Sequence, residues 1–485
     1  MHARPDDGAG KRRLRGSRKL DAVVIGAGPN GLAAAVTLAQ AGRSVLVLEA
    51  RDTIGGGART AELTLPGFRH DVCSAIHPLV AASPFFHSLD VDLGLVEPPA
   101  ALAHPLADGS AVLVRRSVDQ TAEALGADGE AYRRLFAPLV ADWRRLEDEL
   151  LGPIAHVPRH PLALARFGLT GVRSAKAVAE SRFTAERTRA LFAGASAHSI
   201  LPLEQRASAS FGVMLLLLAH VTGWPFRRGG SQGIADALAE RLRSLGGEIE
   251  TGREVSSLRE LPSSGVVLCD VTPRQLAALA GDVLPPRYRR RLQGWRYGPG
   301  VFKVDYALDG PIPWSAPEVA QAGTVHLGGS LAEIVESERA AWEGWHEARP
   351  FVLLAQQSLF DDTRAPAGKH TVWAYCHVPN GSSVDMRERI ESQIERFAPG
   401  FRERILACAA RDTAGLEREN PNLVGGDIAG GANTLGQLIA RPAARPVPYS
   451  TPLPWLYLCS ASTPPGGGVH GMCGHLAAKA ALKRT

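Results

Sequence analysis

The stretch from Leu20 to Glu49 constrains this chain more than any other. Apolar residues up to Ile25 read as a short buried strand, Gly26-Ala27-Gly28-Pro29-Asn30-Gly31 follows at once, and the Ala-rich run Leu32 to Gln40 reads as a helix that Gly42 stops. Ser44 to Leu48 is then a second buried strand, ending at the acidic Glu49. A Gly-x-Gly-x-x-Gly turn alone is a weak signal. Placed after a strand, opening a helix and followed by a strand-ending acid, it predicts a βαβ unit that holds a dinucleotide. Gly26 makes the tight turn, Gly28 lets backbone N–H groups reach a pyrophosphate at the positive end of the helix, and Gly31 lets helix and strand pack closely, with Pro29 and Asn30 completing the loop. Glu49 can accept hydrogen bonds from a ribose diol, and its charge repels a 2′-phosphate, which disfavours NADP.

FAD and NAD share that fingerprint, and the next segment separates them. Ala50-Arg51-Asp52-Thr53-Ile54-Gly55-Gly56-Gly57-Ala58-Arg59 puts a second Gly-rich loop directly behind the acid. A ligand that extends beyond its pyrophosphate needs backbone to approach it again, and Ala50, Arg51, Gly56, Gly57, Ala58 and Arg59 are placed to do so. The loop resembles the one near the ribityl chain and ring in flavoproteins of the glutathione-reductase type, so FAD is the expected cofactor. No Cys-x-x-Cys occurs, which removes dithiol chemistry.

Near the other end, Pro454 to Cys459 reads as a strand, and Ser460-Ala461-Ser462-Thr463-Pro464-Pro465-Gly466-Gly467-Gly468-Val469-His470-Gly471-Met472-Cys473-Gly474 leads into an Ala-rich helix to Leu482. Backbone amides at such a helix start favour partial negative charge, which the N1–C2=O edge of a reduced flavin carries. Two glycine turns from opposite ends of a chain can serve one ligand only in a discontinuous nucleotide domain. Between them, Gly229-Gly230-Ser231 precedes a helical pattern from Ile234 to Leu245, Gly246-Gly247 ends it, and Glu248 to Val255 and Val266 to Leu268 read as strands.

Gly26 to Gly31, Glu49 to Arg59, Gly229 to Ser231, Leu456 to Ser462 and Pro465 to Val469 together resemble the phytoene desaturase-like FAD-dependent oxidoreductases. That group includes bacterial carotenoid desaturases and pyridine-nucleotide-disulfide oxidoreductase-domain proteins. The resemblance implies an α/β chain with a discontinuous glutathione-reductase-type Rossmann FAD-binding domain, from residues 20–75, 225–295 and 420–485. It implies an α+β substrate domain, helical plus antiparallel sheet, from 76–224 and 296–419. It also implies that Ser462, Gly467, Gly468, Val469 and Met472 lie at the flavin and that the backbone of Val255 meets the adenine. Two positions depart from the family pattern: Ser460 stands where many relatives have Gly, and His475 where many have Arg. Amine oxidases of the same fold usually place an acid in the C-terminal motif, and none occurs from Cys459 to Gly474.

Charge narrows the partners. Lys and Arg outnumber Asp and Glu by 54 to 49, but Met1 to Leu20 alone carries seven basic residues against Asp6 and Asp7, and the rest of the chain is balanced. A nucleic-acid footprint would have to reside in residues 1–19, expected to be a disordered basic tail without the apolar core of a secretory signal, so no nucleic-acid partner is expected. Six scattered cysteines, with no zinc-type spacing of Cys or His, fit a reduced, cytoplasmic compartment and no metal. The most apolar run, Gly212 to Ala219, is too short to span a bilayer. Peripheral membrane contact stays open, and no pattern marks a subunit interface.

Helical patterns dominate from Asp119 to Leu218, and Val301 to Leu308 and Thr371 to His377 read as strands. In an extended strand Trp373, Tyr375 and His377 share a face and are the candidate substrate-pocket residues; Lys303 and Asp305 share a face on theirs and read as a structural ion pair. His470, inside the C-terminal glycine loop, is the candidate catalytic residue, because imidazole moves protons near neutral pH. His77, His198, His220 and His326 have no spacing that marks them, and Trp342, Trp345 and His346 read as packing on one helix. The expected activity is that of an FAD-dependent dehydrogenase or desaturase. It would move a hydride from a C–H bond of an apolar, isoprenoid-like small molecule to flavin N5, while a base or water takes the neighbouring proton. A redox-neutral flavin isomerase, an amine oxidase on the same fold and a non-catalytic lipid or protein escort stand as alternatives.

Overall fold

The computed structural model describes residues 20–484, so the expected basic tail at 1–19 lies outside the described residues. The βαβ unit forms as Leu20–Ile25, helix Pro29–Gln40 and Val45–Leu48. The helix begins earlier than its Ala-rich run suggests because Pro29, which has no N–H to leave unpaired, takes a first-turn position. A parallel sheet of five strands grows from this unit in the order Leu456–Leu458, Ser264–Cys269, Leu20–Ile25, Val45–Leu48, Glu248–Glu250. Both of its faces are covered, which is why the three central strands read as unbroken apolar runs. Val24, Val47 and Leu268 pack under helices Pro29–Gln40, Gln232–Ser244 and Met472–Leu482. Ile25, Val267 and Cys269 pack on the other side with Leu276, Tyr288 and Leu292 of helices Pro273–Ala280 and Pro286–Gln293.

Two expectations from periodicity are corrected here. The strand expected from Glu248 to Val255 stops at Glu250: Gly252 adopts φ +64°, and the N–H groups of Gly252 and Arg253 turn back to the carbonyls of Arg51 and Glu49, both at 2.8 Å. Val255 follows that turn and packs against the face formed by Val23, Leu46 and Leu48. Trp345 and His346 lie beyond their expected helix, since Leu331–Glu343 ends at Gly344 with φ +98°.

A second sheet has seven strands in the order Ile405–Arg411, Gly300–Leu308, His370–Val378, Val352–Ala355, Ala322–Leu327, Ala100–Pro105, Ala111–Val114. It is antiparallel except where Ala322–Leu327 runs parallel to Ala100–Pro105. One face, with Leu102, Val112, Leu353 and Tyr375, packs on the helices between Val118 and Val221. The other, with Val304, Tyr306, Leu354 and Cys376, packs on helix Arg387–Glu395 through Ile390 and Ile394. Val80, Phe85, Phe86 and Leu89 join the core of the first sheet, which therefore extends past residue 75. Among the described residues no helix is long and apolar enough to cross a membrane, and no group of His, Cys, Asp or Glu is arranged to hold a metal ion.

Candidate active site

The first two glycine loops are built against each other. Gly26 has φ +96°, and Gly31 approaches it so closely that a Cβ on Gly31 would stand 2.0 Å from the Gly26 carbonyl oxygen. A Cβ on Gly28 would stand 2.8 Å from Asp270 Oδ2, and one on Gly56 3.1 Å from Gly28 Cα. Glu49 fastens the pair: Oε2 accepts the Ala27 N–H at 2.7 Å and Oε1 the Arg51 N–H at 3.0 Å. Arg59 braces the second loop, donating to the Gly56 carbonyl at 2.9 Å and pairing with Glu419 at 2.6 Å.

The C-terminal loop repeats the Gly-x-Gly-x-x-Gly spacing at Gly466, Gly468 and Gly471, all with positive φ. It makes no separate nucleotide site. Ser462, Gly467, Gly468 and Val469 line the same cavity, about 460 Å³ in volume, as Gly28, Pro29, Asn30, Gly56, Gly57 and Ala58. What brings the two ends together is helix on helix: a Cβ on Gly474 would stand 1.7 Å from the carbonyl oxygen of Asn30. Gly31, Glu49, Arg51, Arg59 and Met472 stand behind this lining and shape it through the contacts above, Met472 through His470, whereas Val255 is off the lining, packed against Val23, Leu46 and Leu48.

His470 lines the cavity but is not free to move a proton. Its Nδ1 accepts the Met472 N–H at 3.0 Å and its Nε2 donates to the Gly466 carbonyl at 3.1 Å, a tautomer that these two bonds assign. Burial lowers its pKa to about 4, so the ring is neutral. The expectation of a catalytic His470 gives way to an imidazole that staples the glycine loop. His377 is likewise corrected: it lies off the cavity because Nδ1 is bound by both Glu338 oxygens, at 2.8 and 2.9 Å. Its strand neighbours Trp373 and Tyr375 do line the cavity, with Ile200, Phe211, Met214, Trp224 and Leu353. Lys303 and Asp305 are buried in contact with each other, with Arg411 and His70 just beyond.

Asp270 is a site residue that sequence reasoning missed, although it follows strand Ser264–Cys269 as Glu49 follows its own. Its Oδ2 accepts the Gly31 N–H at 2.9 Å. Burial raises its pKa to about 7; the bond from Gly31 opposes that rise and Glu49 adds to it. A carboxyl that holds a proton near neutrality is compatible with a pyrophosphate at the same helix terminus. The glycine turns that no Cβ could enter, the acceptors of Glu49 and the apolar far wall fit FAD. His198, also missed, lines that wall, and no local spacing could have marked it.

Comparison with known proteins agrees with this architecture. A family model described as an NAD(P)-binding Rossmann-like domain matches residues 24–89. Pyridine nucleotide-disulfide oxidoreductase domain-containing protein 2 of Mus musculus is 27% identical, with 94% of this chain and 92% of that protein aligned. The phytoene dehydrogenase of Streptomyces griseus is 28% identical over 83% of this chain and 79% of its own. The crystal structure of an oxidoreductase from Methanosarcina mazei superposes on 96% of this chain and 100% of its own with a TM-score of 0.62 at 17% identity, a likeness of fold alone. The chain is similar to the phytoene desaturase-like FAD-dependent oxidoreductases; FAD is its cofactor, and it is an enzyme of the dehydrogenase and desaturase type.

Proposed function

We propose that the enzyme desaturates an apolar, isoprenoid-like small molecule, taking a hydride from one carbon and a proton from its neighbour. The observation that carries this reading is the wall of the cavity. Beyond the glycine loops Ile200, Phe211, Met214, Leu215, Trp224, Leu353 and Trp373 line it, with His77, His198, Thr324 and Tyr375 among the polar side chains, and Asp270, beside Gly31, is the one carboxylate on the lining of the described residues. A protonated amine would find no counter-charge at that end, which weighs against amine oxidation.

FAD, when bound, supplies the two-electron acceptor for the hydride. The chain supplies the rest. Gly28 and the first turn of helix Pro29–Gln40 would hold the pyrophosphate, Glu49 the ribose, and the loops at Gly56–Ala58 and Gly467–Val469 the flavin end. The aromatic and aliphatic wall orients an extended hydrocarbon and excludes water, because an apolar chain gains roughly 25 cal/mol for each Å² it removes from water. The relatives named phytoene dehydrogenase and phytoene desaturase support the substrate class. The test is anaerobic titration of the purified yellow protein with phytoene and shorter acyclic isoprenoids. Loss of the visible flavin band, with a product two hydrogens lighter, is expected; a flavin bleached by alkylamines and untouched by the hydrocarbons would overturn the reading.

A further inference from the structure

Among the described residues two arginines are fully buried, Arg364 and Arg441. Arg364 meets two carboxylates, Asp71 at 2.8 Å and Asp361 at 2.9 Å. Arg441 meets none. Its Nη1 donates to Asn433 Oδ1 and its Nη2 to the Ala429 carbonyl, both at 3.1 Å, its Cζ lies 5.7 Å from the centre of the Trp295 ring, and its Nε has no hydrogen-bond partner. Asp427 acts on it only from beyond ion-pair distance and spends its oxygens on the N–H groups of Gly298 at 2.8 Å and Ala429 at 2.7 Å. Burial also raises the Asp427 pKa, which weakens it as a counter-charge. Burial pulls the Arg441 pKa down while Cys473 and Asp427 hold it up, and a guanidinium starts from so high a value that it keeps its charge.

The place of this cation gives it a use. Both of its acceptors, Ala429 and Asn433, line the cavity, although Arg441 itself does not. It also stands against the C-terminal glycine loop: a Cβ on Gly466, where φ is +122°, would lie 3.0 Å from Nη1, and the neighbours Pro465 and Gly467 are on the lining. The charge therefore sits one residue layer behind the wall that Pro465 to Val469 build. The titratable neighbours in that loop are uncharged near neutral pH, since burial lowers His470 to about 4 and raises Cys473 to about 11. Holding Ala429 and Asn433 in place needs only the N–H groups of a neutral amide. Burying a charge without a counter-charge is costly, and in an interior of low dielectric its field reaches across several ångströms.

We propose that Arg441 supplies, from behind the C-terminal glycine loop, the counter-charge for reduced flavin, and so raises the potential of bound FAD above that of the free coenzyme. This rests on the reading that places the flavin end against Gly467–Val469, and not on the identity of the substrate. Uptake of a hydride, two electrons with one proton, turns the neutral oxidised ring into an anion whose charge lies on the N1–C2=O edge. Amide dipoles of the loop and of the start of helix Met472–Leu482 meet that charge at short range, and Arg441 adds a full positive charge behind them. A site that favours the anion makes its flavin a stronger hydride acceptor. Lying off the lining, Arg441 is a positioning residue: it acts through the loop, and no proton or bond changes hands on it.

The test is the midpoint potential of the bound flavin, read during slow anaerobic reduction of the holoprotein by xanthine and xanthine oxidase against a reference dye, with no substrate present. Wild-type FAD is expected above free FAD; a value at or below it overturns the proposal, whatever the variants do. Arg441→Gln keeps an N–H donor for Asn433 or Ala429 and removes the charge. It should weaken the preference for reduced over oxidised flavin tenfold or more, a fall of about 30 mV or more for a two-electron couple. Arg441→Lys keeps the charge and should hold the potential well above that of Arg441→Gln. An Arg441→Gln flavin at the wild-type potential, or an Arg441→Lys flavin that falls as far as Arg441→Gln, assigns Arg441 to packing alone and overturns the proposal. Hydrogen exchange of the wild type tests the placement separately. If FAD leaves residues 467–472 unslowed, the placement fails and the proposal with it; if they slow and the potentials do not move, the proposal fails alone.

Discussion

Asp270 stands where the first helix turns its N–H groups outward, and its ionisation is linked to the stability of the flavin-free fold. The value of about 7 in the fold lies above the 3.8 of an open chain, so the folded protein binds this proton more tightly. The stability contributed by this group is therefore full below about pH 4 and is lost as pH rises through about 7, by a few kcal/mol at most. Asp270→Asn keeps the acceptor for Gly31 and removes the titration. In urea unfolding of flavin-free protein it should be about 1–3 kcal/mol more stable than wild type at pH 8 and nearly equal at pH 4.5; parallel losses in both proteins would place the linked proton elsewhere. Gly28→Val tests the same corner sterically, since its Cβ would stand 2.8 Å from Asp270 Oδ2. The expected product is folded and colourless, and stoichiometric FAD in that variant would contradict the pyrophosphate placement. His470→Ala separates a staple from a base: losing the bonds to Gly466 and Met472 should speed FAD release, measured by fluorescence of the freed flavin, with single-turnover bleaching rates unchanged in the fraction that stays loaded.

At the scale of elements, the crossing of helices Pro29–Gln40 and Met472–Leu482 decides whether there is one site at all. Gly474 lies with its Cα against the Asn30 carbonyl, and Gly474→Ala would place a carbon 1.7 Å from that oxygen, backbone that no rotamer change can move. The helices must separate, at a cost in the upper part of the roughly 1–3 kcal/mol range for overpacking, and FAD affinity should fall with thermal stability. A variant with wild-type melting and FAD binding would show that the crossing is dispensable. The parallel-sheet strands were legible because burial on both faces leaves unbroken runs such as Val45–Leu48 and Ser264–Cys269, and the glycine loops because their spacing has a steric cause. Trp373, Tyr375 and His377 were legible as one face of a strand. Which of them reaches the cavity was not, because Glu338, on another element, claims His377. The contact of His198 with His326, 3.0 Å between their Nε2 atoms, left no trace in spacing, since a strand and a distant helix end bring it together.

For the molecule as a whole, the order of the five-stranded sheet couples the two ends of the chain. Leu20–Ile25 lies at its centre, Leu456–Leu458 at its edge, and Ser264–Cys269 between them, hydrogen-bonded to both. Neither glycine turn can shift without moving a shared strand or the helix crossing at Gly474. A ligand that binds the folded state alone stabilises it by mass action, and its local protection falls on the amides it orders. Hydrogen exchange of the protein with and without FAD should therefore show slowing at residues 28–32, 56–58 and 467–472 with one common dependence on FAD concentration. Helix Arg387–Glu395, on the far face of the second sheet, should exchange at its flavin-free rate. Protection confined to the N-terminal loops, or two separate concentration dependences, would mean that Gly466 to Gly471 frames a different ligand, and that the shared cavity is two sites in contact rather than one.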